Sequence, residues 1–413
     1  MDAATEHAEP LPGARTLDIP IPTAPATLYR RAAAAIGEAR WAIGVYLGSR
    51  ALLMLVAFVN GALRHHSFSH ELAQWDGLWY RELATHGYPD HVVHAQSTLG
   101  FFPLYPGLVW LVSHAFVIPV ARYQILSSTL AGVLISGAGG LIATVLVGRL
   151  AAGWWGERTA RRAILIFCLF PGSVVFSMVY AEGIMLPLAA GCILALQKRR
   201  WLLAGVLAGI ATATEPEALV LVLVCAVSAG RELRRKGIRD RTALRSVAAP
   251  ALATVGAGAF AIYLWLWTGT PFATLIAQRD GWGEKTNVLA LLNLIETTAD
   301  QISFAHFNHP TINLNLIVGL GGAIVLIALL VLVVRNREEM SVEAIAWTLG
   351  ISWLAMTSEY TPPMPRLIIT AFPAVIVLAR YVRGRAFTVL LATNGVLLVA
   401  LSALTFVGTS LRP

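Results

Sequence analysis

Long apolar runs alternate with short polar breaks along most of this chain. Segments 312–334 and 386–407 are nearly free of charge, and an uncharged apolar run of ~18 residues or more needs lipid as its solvent. Apolar segments recur at about 42–62, 123–148, 163–180, 183–197, 201–214, 216–230, 246–267, 313–334, 342–357, 367–380 and 386–408. They predict an all-α integral membrane protein, a polytopic bundle of about eleven transmembrane helices. Several segments fall short of the ~20 residues that cross a bilayer, which fits broken helices lining a cavity.

Basic residues gather between these runs: Arg30, Arg31 and Arg40; Arg158, Arg161 and Arg162; Lys198, Arg199 and Arg200; residues 231–245; Arg335 and Arg337; Arg380, Arg383 and Arg385. Read as cytoplasmic loops, they require an even number of crossings between clusters. The stretch 103–148 then holds one span, preceded by a short interfacial helix at 104–118. The outer loops become about 63–122, 181–182, 214–217, 268–311 and 358–366. This places the protein in the cell membrane as a multi-pass chain, with its N-terminus cytoplasmic and its chemistry extracytoplasmic.

Composition agrees: 57% of the 413 residues are hydrophobic, 13% are charged, and mean hydropathy is +0.67. No stretch is left over for a soluble domain. Residues 1–40 read as a disordered cytoplasmic tail, and 41–413 as a single transmembrane domain. The net charge of +8 reflects the inner loops, so membrane lipids and not nucleic acid are the expected partners. Cys168, Cys192 and Cys225 lie in apolar segments and read as small core residues. Six histidines crowd 65–94 without ligand spacing, so no metal and no cofactor are expected. Arg50, inside the first span, reads as a side chain snorkelling to the inner interface.

Asp76, Glu182, Glu215, Asp280, Glu284 and Arg366 all fall on outer loops. Around Asp76 stand Trp75, Trp79, Tyr80 and Arg81, with His86 further on. The aromatics either seat the carboxylate in an apolar pocket, making it a better base, or form an interfacial belt. Glu182 either caps a helix or faces a ligand, and the turn with Glu215, Pro216 and Glu217 allows simple solvation. A long loop such as 268–311 often serves as a lid. Arg366 at a helix start opposes the helix dipole, a mild cost offset if it binds a phosphate.

The segments WDGLWYRELATHGYP, FFPLYPGL, PGSVVFSMVYAE, GVLAGIATAT, AQRDGW and MPRLIITAFP, in that order over about 40–385, resemble the GPI mannosyltransferase II-like family. This family belongs to the GT-C membrane glycosyltransferases. The resemblance implies a GT-C-like first outer loop, a polyprenyl-phosphate mannose donor, a lipid-linked glycan acceptor and inversion at the anomeric carbon. It implies Asp76 as the general base. Arg366 and Arg81 are the candidates for the donor phosphate on chemical grounds. Trp75, Trp79, Tyr80, His86, Tyr105, Tyr180, Glu182, Glu215, Gln278 and Trp282 are candidates for substrate binding. Glu215 stands where an Arg is expected and reverses the charge at a plausible phosphate position. Two other readings remain open: a protein O-mannosyltransferase of the same architecture, and a lipid or solute transporter, for which repeated halves would be expected.

Overall fold

A computed structural model describes residues 24–115, 117–118, 123–124, 126–302, 313–408 and 411–413. It divides into two units, Met1–Arg40 and Trp41–Pro413, and the account below concerns the second. The expected tail lies outside the described residues up to position 23; the first helix runs Ala24–Arg64.

Helix dominates, as it must where lipid offers the backbone no hydrogen bonds. Among the described residues five helices are long and apolar enough to cross a membrane: Arg40–Arg64, Ser128–Trp155, Arg241–Thr268, Leu314–Arg335 and Gly384–Phe406. A sixth span results if Glu157–Leu169 and Pro171–Ser177, bent by 73°, count as one. Glu182–Gln197, Trp201–Ala211, Val342–Thr357 and Phe372–Tyr381 are shorter apolar helices, and Val220–Lys236 follows the turn at Glu215. The first loop carries helices Phe68–Glu71, Asp76–His86 and Leu104–Ala115. The expected helix at 104–118 therefore stops at Ala115. Val117–Ile118 then pairs antiparallel with Tyr123–Gln124, in register Val117 to Gln124 and Ile118 to Tyr123.

Helix Glu182–Gln197 lies in the interior. Eleven of its sixteen residues are buried, and it packs against Ser128–Trp155, Trp201–Ala211 and Val342–Thr357. Gly139 permits the closest of these approaches, because a Cβ there would lie 1.8 Å from the Gly183 carbonyl oxygen. Small residues at helix contacts are how membrane bundles pack without a hydrophobic driving force between helices.

The bend at Phe170 has a local cause. Pro171 has no N–H and forces the residue before it out of the helical region; Phe170 sits at φ −61°, ψ 137°. Arg50 supplies the missing donors. Its guanidinium donates to the Cys168 carbonyl at 3.0 Å, the Ser173 hydroxyl at 2.9 Å, the Ser177 hydroxyl at 3.1 Å and the Ser173 carbonyl. The side chain is buried between the rings of Tyr46 and Phe176. The snorkelling reading of Arg50 is therefore corrected: the cation is held inside the bundle because the broken helix exposes carbonyls that need a donor.

Arg50→Leu is expected to lower stability by a few kcal/mol, since each orphaned buried acceptor costs about 1–3 kcal/mol. Arg50→Lys, with three donors, should recover only part of this. Thermal unfolding in detergent reads both; a Leu variant as stable as wild type would remove the clamp.

Candidate functional site

Described residues in or next to the loops 63–122, 181–182, 214–217, 268–311 and 358–366 come together through named contacts. The Asp76 N–H donates to the Tyr180 hydroxyl at 3.2 Å, and the Leu104 N–H to the Ala213 carbonyl at 3.0 Å. Gln278 Nε2 donates to the Gly100 carbonyl at 2.9 Å. Thr286 bridges Ser358, and Asp280 pairs with His94 at 2.8 Å.

At their junction Arg366 bridges two acids. One guanidinium nitrogen contacts Asp76 Oδ2 and Nε lies 3.4 Å from Glu182 Oε1. The guanidinium carbon stands 5.5 Å from the centre of the Tyr180 ring. Arg366 sits at the start of Pro365–Thr370, a helix pressed on the broken segment Pro171–Ser177. A Cβ on Gly172 would lie 2.0 Å from the Pro365 carbonyl oxygen, so only glycine lets the two interrupted helices come this close. Arg50 thus secures one side of the joint and Arg366 emerges from the other.

Asp76 is placed with equal care. It opens helix Asp76–His86, where the positive end of the helix dipole favours a carboxylate. Trp75 before it has φ 59°, a conformation that costs a non-glycine residue about 1–3 kcal/mol. Its indole N–H donates to the Thr405 carbonyl at 3.0 Å and holds the turn. Trp75 thus turns away from the carboxylate, whose partner is Arg366. The Asp76 side chain retains 29% exposure, so the cluster opens to the surface there.

Beneath it, polar groups are buried. Tyr105 bonds the Ser136 hydroxyl at 2.7 Å, and Ser136 donates to the Tyr180 carbonyl at 2.8 Å. Glu182 and Glu215 are buried, and Glu182 Oε2 and Glu215 Oε1 have no hydrogen-bond partner among the described residues. Burial, then the charges of Glu182 and Glu217, push the Glu215 carboxyl well above its ordinary 4.5. Burial, then the charges of Glu215, Glu182 and Asp76, raise the Tyr80 hydroxyl. Three carboxylates around one guanidinium are an excess of negative charge, which favours the neutral form of the buried Glu215 carboxyl.

An aromatic wall flanks the acids. Trp282 packs edge-on against Trp79 at 5.1 Å and Phe101 at 5.5 Å, with Tyr360 at 6.4 Å. Tyr80 lies between Phe101 and Tyr105. The Trp282 indole N–H has no hydrogen-bond partner among the described residues. Such a wall beside a few convergent polar groups is the ordinary make-up of a small-molecule site.

Of the expected site residues, Asp76, Tyr180, Glu182 and Arg366 touch, with Glu215 and Tyr80 in the same field and Tyr105 below. Trp79 and Trp282 form the wall. Trp75 and Gln278 hold backbone. Arg81 and His86 stand apart from the cluster. Arg81 lies five residues past Asp76, about 140° around the helix at 3.6 residues per turn, and His86 is exposed and pairs with Glu82 at 3.1 Å. Ser136 and Tyr360 escaped the sequence reading; a hydroxyl inside an apolar span and a tyrosine six residues before Arg366 were the available signals.

Glu215→Gln is expected to flatten the pH dependence of stability. Because folding raises this carboxyl, its contribution is fully present below the unfolded value near 4.5 and is lost as pH rises through the folded value. The variant should melt above wild type at pH 8, the difference shrinking towards pH 4.5. A constant difference across that range would contradict a protonated Glu215.

No protein-family model matches the chain, and no curated protein matches it in sequence. Among solved structures it is similar to ArnT from Cupriavidus metallidurans bound to undecaprenyl phosphate, with a TM-score of 0.50 and 15% identity over 85% of this chain and 62% of that one. It is also similar to the apo oligosaccharyltransferase of Archaeoglobus fulgidus, with a TM-score of 0.47 and 13% identity over 89% of this chain and 55% of that one. The chain therefore spans about three-fifths of the length of ArnT. At that identity the likeness to ArnT concerns the fold alone, and that fold is a helical bundle.

Proposed function

We propose that the chain is an inverting membrane glycosyltransferase that moves mannose from a polyprenyl-phosphate carrier to a lipid-linked glycan acceptor. The observation that carries the reading is the contact of Asp76 with Arg366 at an exposed edge, beside the wall of Trp79, Phe101 and Trp282. An acceptor hydroxyl attacks the anomeric carbon, the bond from that carbon to the phosphate oxygen breaks, and Asp76 takes the hydroxyl proton. Arg366 receives the departing phosphate, whose planar match to a guanidinium is strong. The same guanidinium contacts the Asp76 carboxylate, so arrival of the phosphate frees the base. The buried carboxyl of Glu215 contacts a sugar hydroxyl as a neutral donor, which accounts for an acid near a phosphate position. ArnT was solved with undecaprenyl phosphate, and a carrier of that kind suits this site. The mannose assignment rests on the sequence resemblance, as do inversion and an active site on the extracytoplasmic side of the cell membrane.

Membranes containing the chain, supplied with radiolabelled polyprenyl-phosphate mannose, should pass label to an extractable lipid. Label moved equally well from another polyprenyl-phosphate sugar would retain the transferase and remove mannose. Uptake of solute without transfer from any such donor would replace the enzyme with a transporter.

A further inference from the structure

A second feature lies away from the acidic cluster. Helices Ser128–Trp155 and Glu182–Gln197 run side by side in the same direction, since Gly139 meets Gly183 and Leu146 meets Gly191. With Trp201–Ala211 they line an open groove of about 630 Å³. Its walls are apolar, with Ala138, Ile142, Leu146, Leu188, Leu203 and Leu207 among the lining. One end is different: Arg149, Lys198 and Arg200 also line it.

These three side chains make no hydrogen bond or ion pair among the described residues, and no carboxylate lines the groove. On both long walls the lining runs fourteen residues, from Ile135 to Arg149 and from Ile184 to Lys198, or about 21 Å at 1.5 Å per residue. The other end lies beside Ser136, whose hydroxyl holds the Tyr180 carbonyl below the candidate site. The cations are thus on the order of 20 Å from that layer, too far to share a phosphate with Arg366.

We propose that this groove is a binding site for an anionic phospholipid, with one acyl chain along the apolar walls and the phosphate at Arg149, Lys198 and Arg200. Charge decides the occupant. A neutral chain gains nothing from three unpaired cations, and a soluble anion gains nothing from two helix-lengths of apolar wall. Basic pockets between membrane helices select lipids by this combination. The site is independent of the sugar chemistry at Asp76, so either assignment stands without the other.

The test uses the full chain in detergent micelles with equal amounts of phosphatidylglycerol and phosphatidylcholine, and native mass spectrometry reads what is retained. Wild type should keep phosphatidylglycerol in preference. The combined Arg149→Gln, Lys198→Gln, Arg200→Gln variant should lose that preference by about tenfold or more. Ala138→Trp, on the exposed wall, should lower retention of both lipids by filling the chain's path. A control removing the same charge elsewhere, Arg231→Gln, Arg234→Gln, Arg245→Gln, should bind as wild type; equal thermal unfolding of all forms shows each is folded. Equal retention of the two lipids by wild type, an unchanged triple variant, or a control that loses as much would each overturn the site. Complete displacement by inorganic phosphate alone would reduce it to an anion site without a chain.

Discussion

Asp76→Asn is expected to lower sugar transfer by about 10²–10⁴-fold, the usual contribution of a positioned general base, with little change in stability. Asparagine keeps the size of the side chain and an oxygen for Arg366, and the Asp76 N–H that donates to Tyr180 is untouched. What it lacks is the ability to take a proton. Transfer assays with saturating donor separate this from a binding effect: the loss should fall on kcat and leave KM for the donor within a few-fold. Undiminished transfer would remove Asp76 as base. A loss confined to KM would make Asp76 an anchor for Arg366.

Arg366→Gln is expected to have the largest effect on stability. Removing one member of a buried ion pair costs about 3–5 kcal/mol, because the charge left behind stays desolvated. Here Glu182 would be left, 4% exposed in its side chain and already holding one oxygen without a partner. The prediction has an internal check. Adding Glu182→Gln to Arg366→Gln should restore part of the loss, since the second change removes the stranded charge. Arg366→Lys should be intermediate, because an ammonium lacks the planar fork that reaches Asp76 and Glu182 together. Thermal unfolding in detergent reads all three; a double variant less stable than the single would contradict the bridge.

The two predictions rest on features that differ in how visible they were in the chain. Asp76 and Arg366 stand out in sequence, one as an acid among aromatics and the other as a cation opening an apolar helix. Their contact does not, because 290 positions separate them and nothing local to either specifies the other. From the chain alone Arg366 was a candidate for a phosphate, and the aromatics around Asp76 allowed either an apolar seat or an interfacial belt. Each was a sound inference from neighbours in the chain and incomplete for neighbours in space. Arg50 shows the same limit more sharply. Its position in an apolar run suggests escape to the interface, but the acceptors it satisfies lie on a helix broken at Pro171, more than a hundred residues on.

By itself the sequence determined the kind of protein. Apolar runs long enough to need lipid force helices, since within a bilayer each backbone group must bond inside its own segment, and that requirement is local. It also named the loops that carry polar chemistry, because charges are excluded from the spans between them. Only the tertiary structure decided what those polar groups do to one another. Two interrupted helices, one bent at Pro171 and one starting at Pro365, meet through Gly172, and their packing brings Arg366 between Asp76 and Glu182. That joint depends on shape complementarity between distant segments, for which composition and periodicity carry no signal.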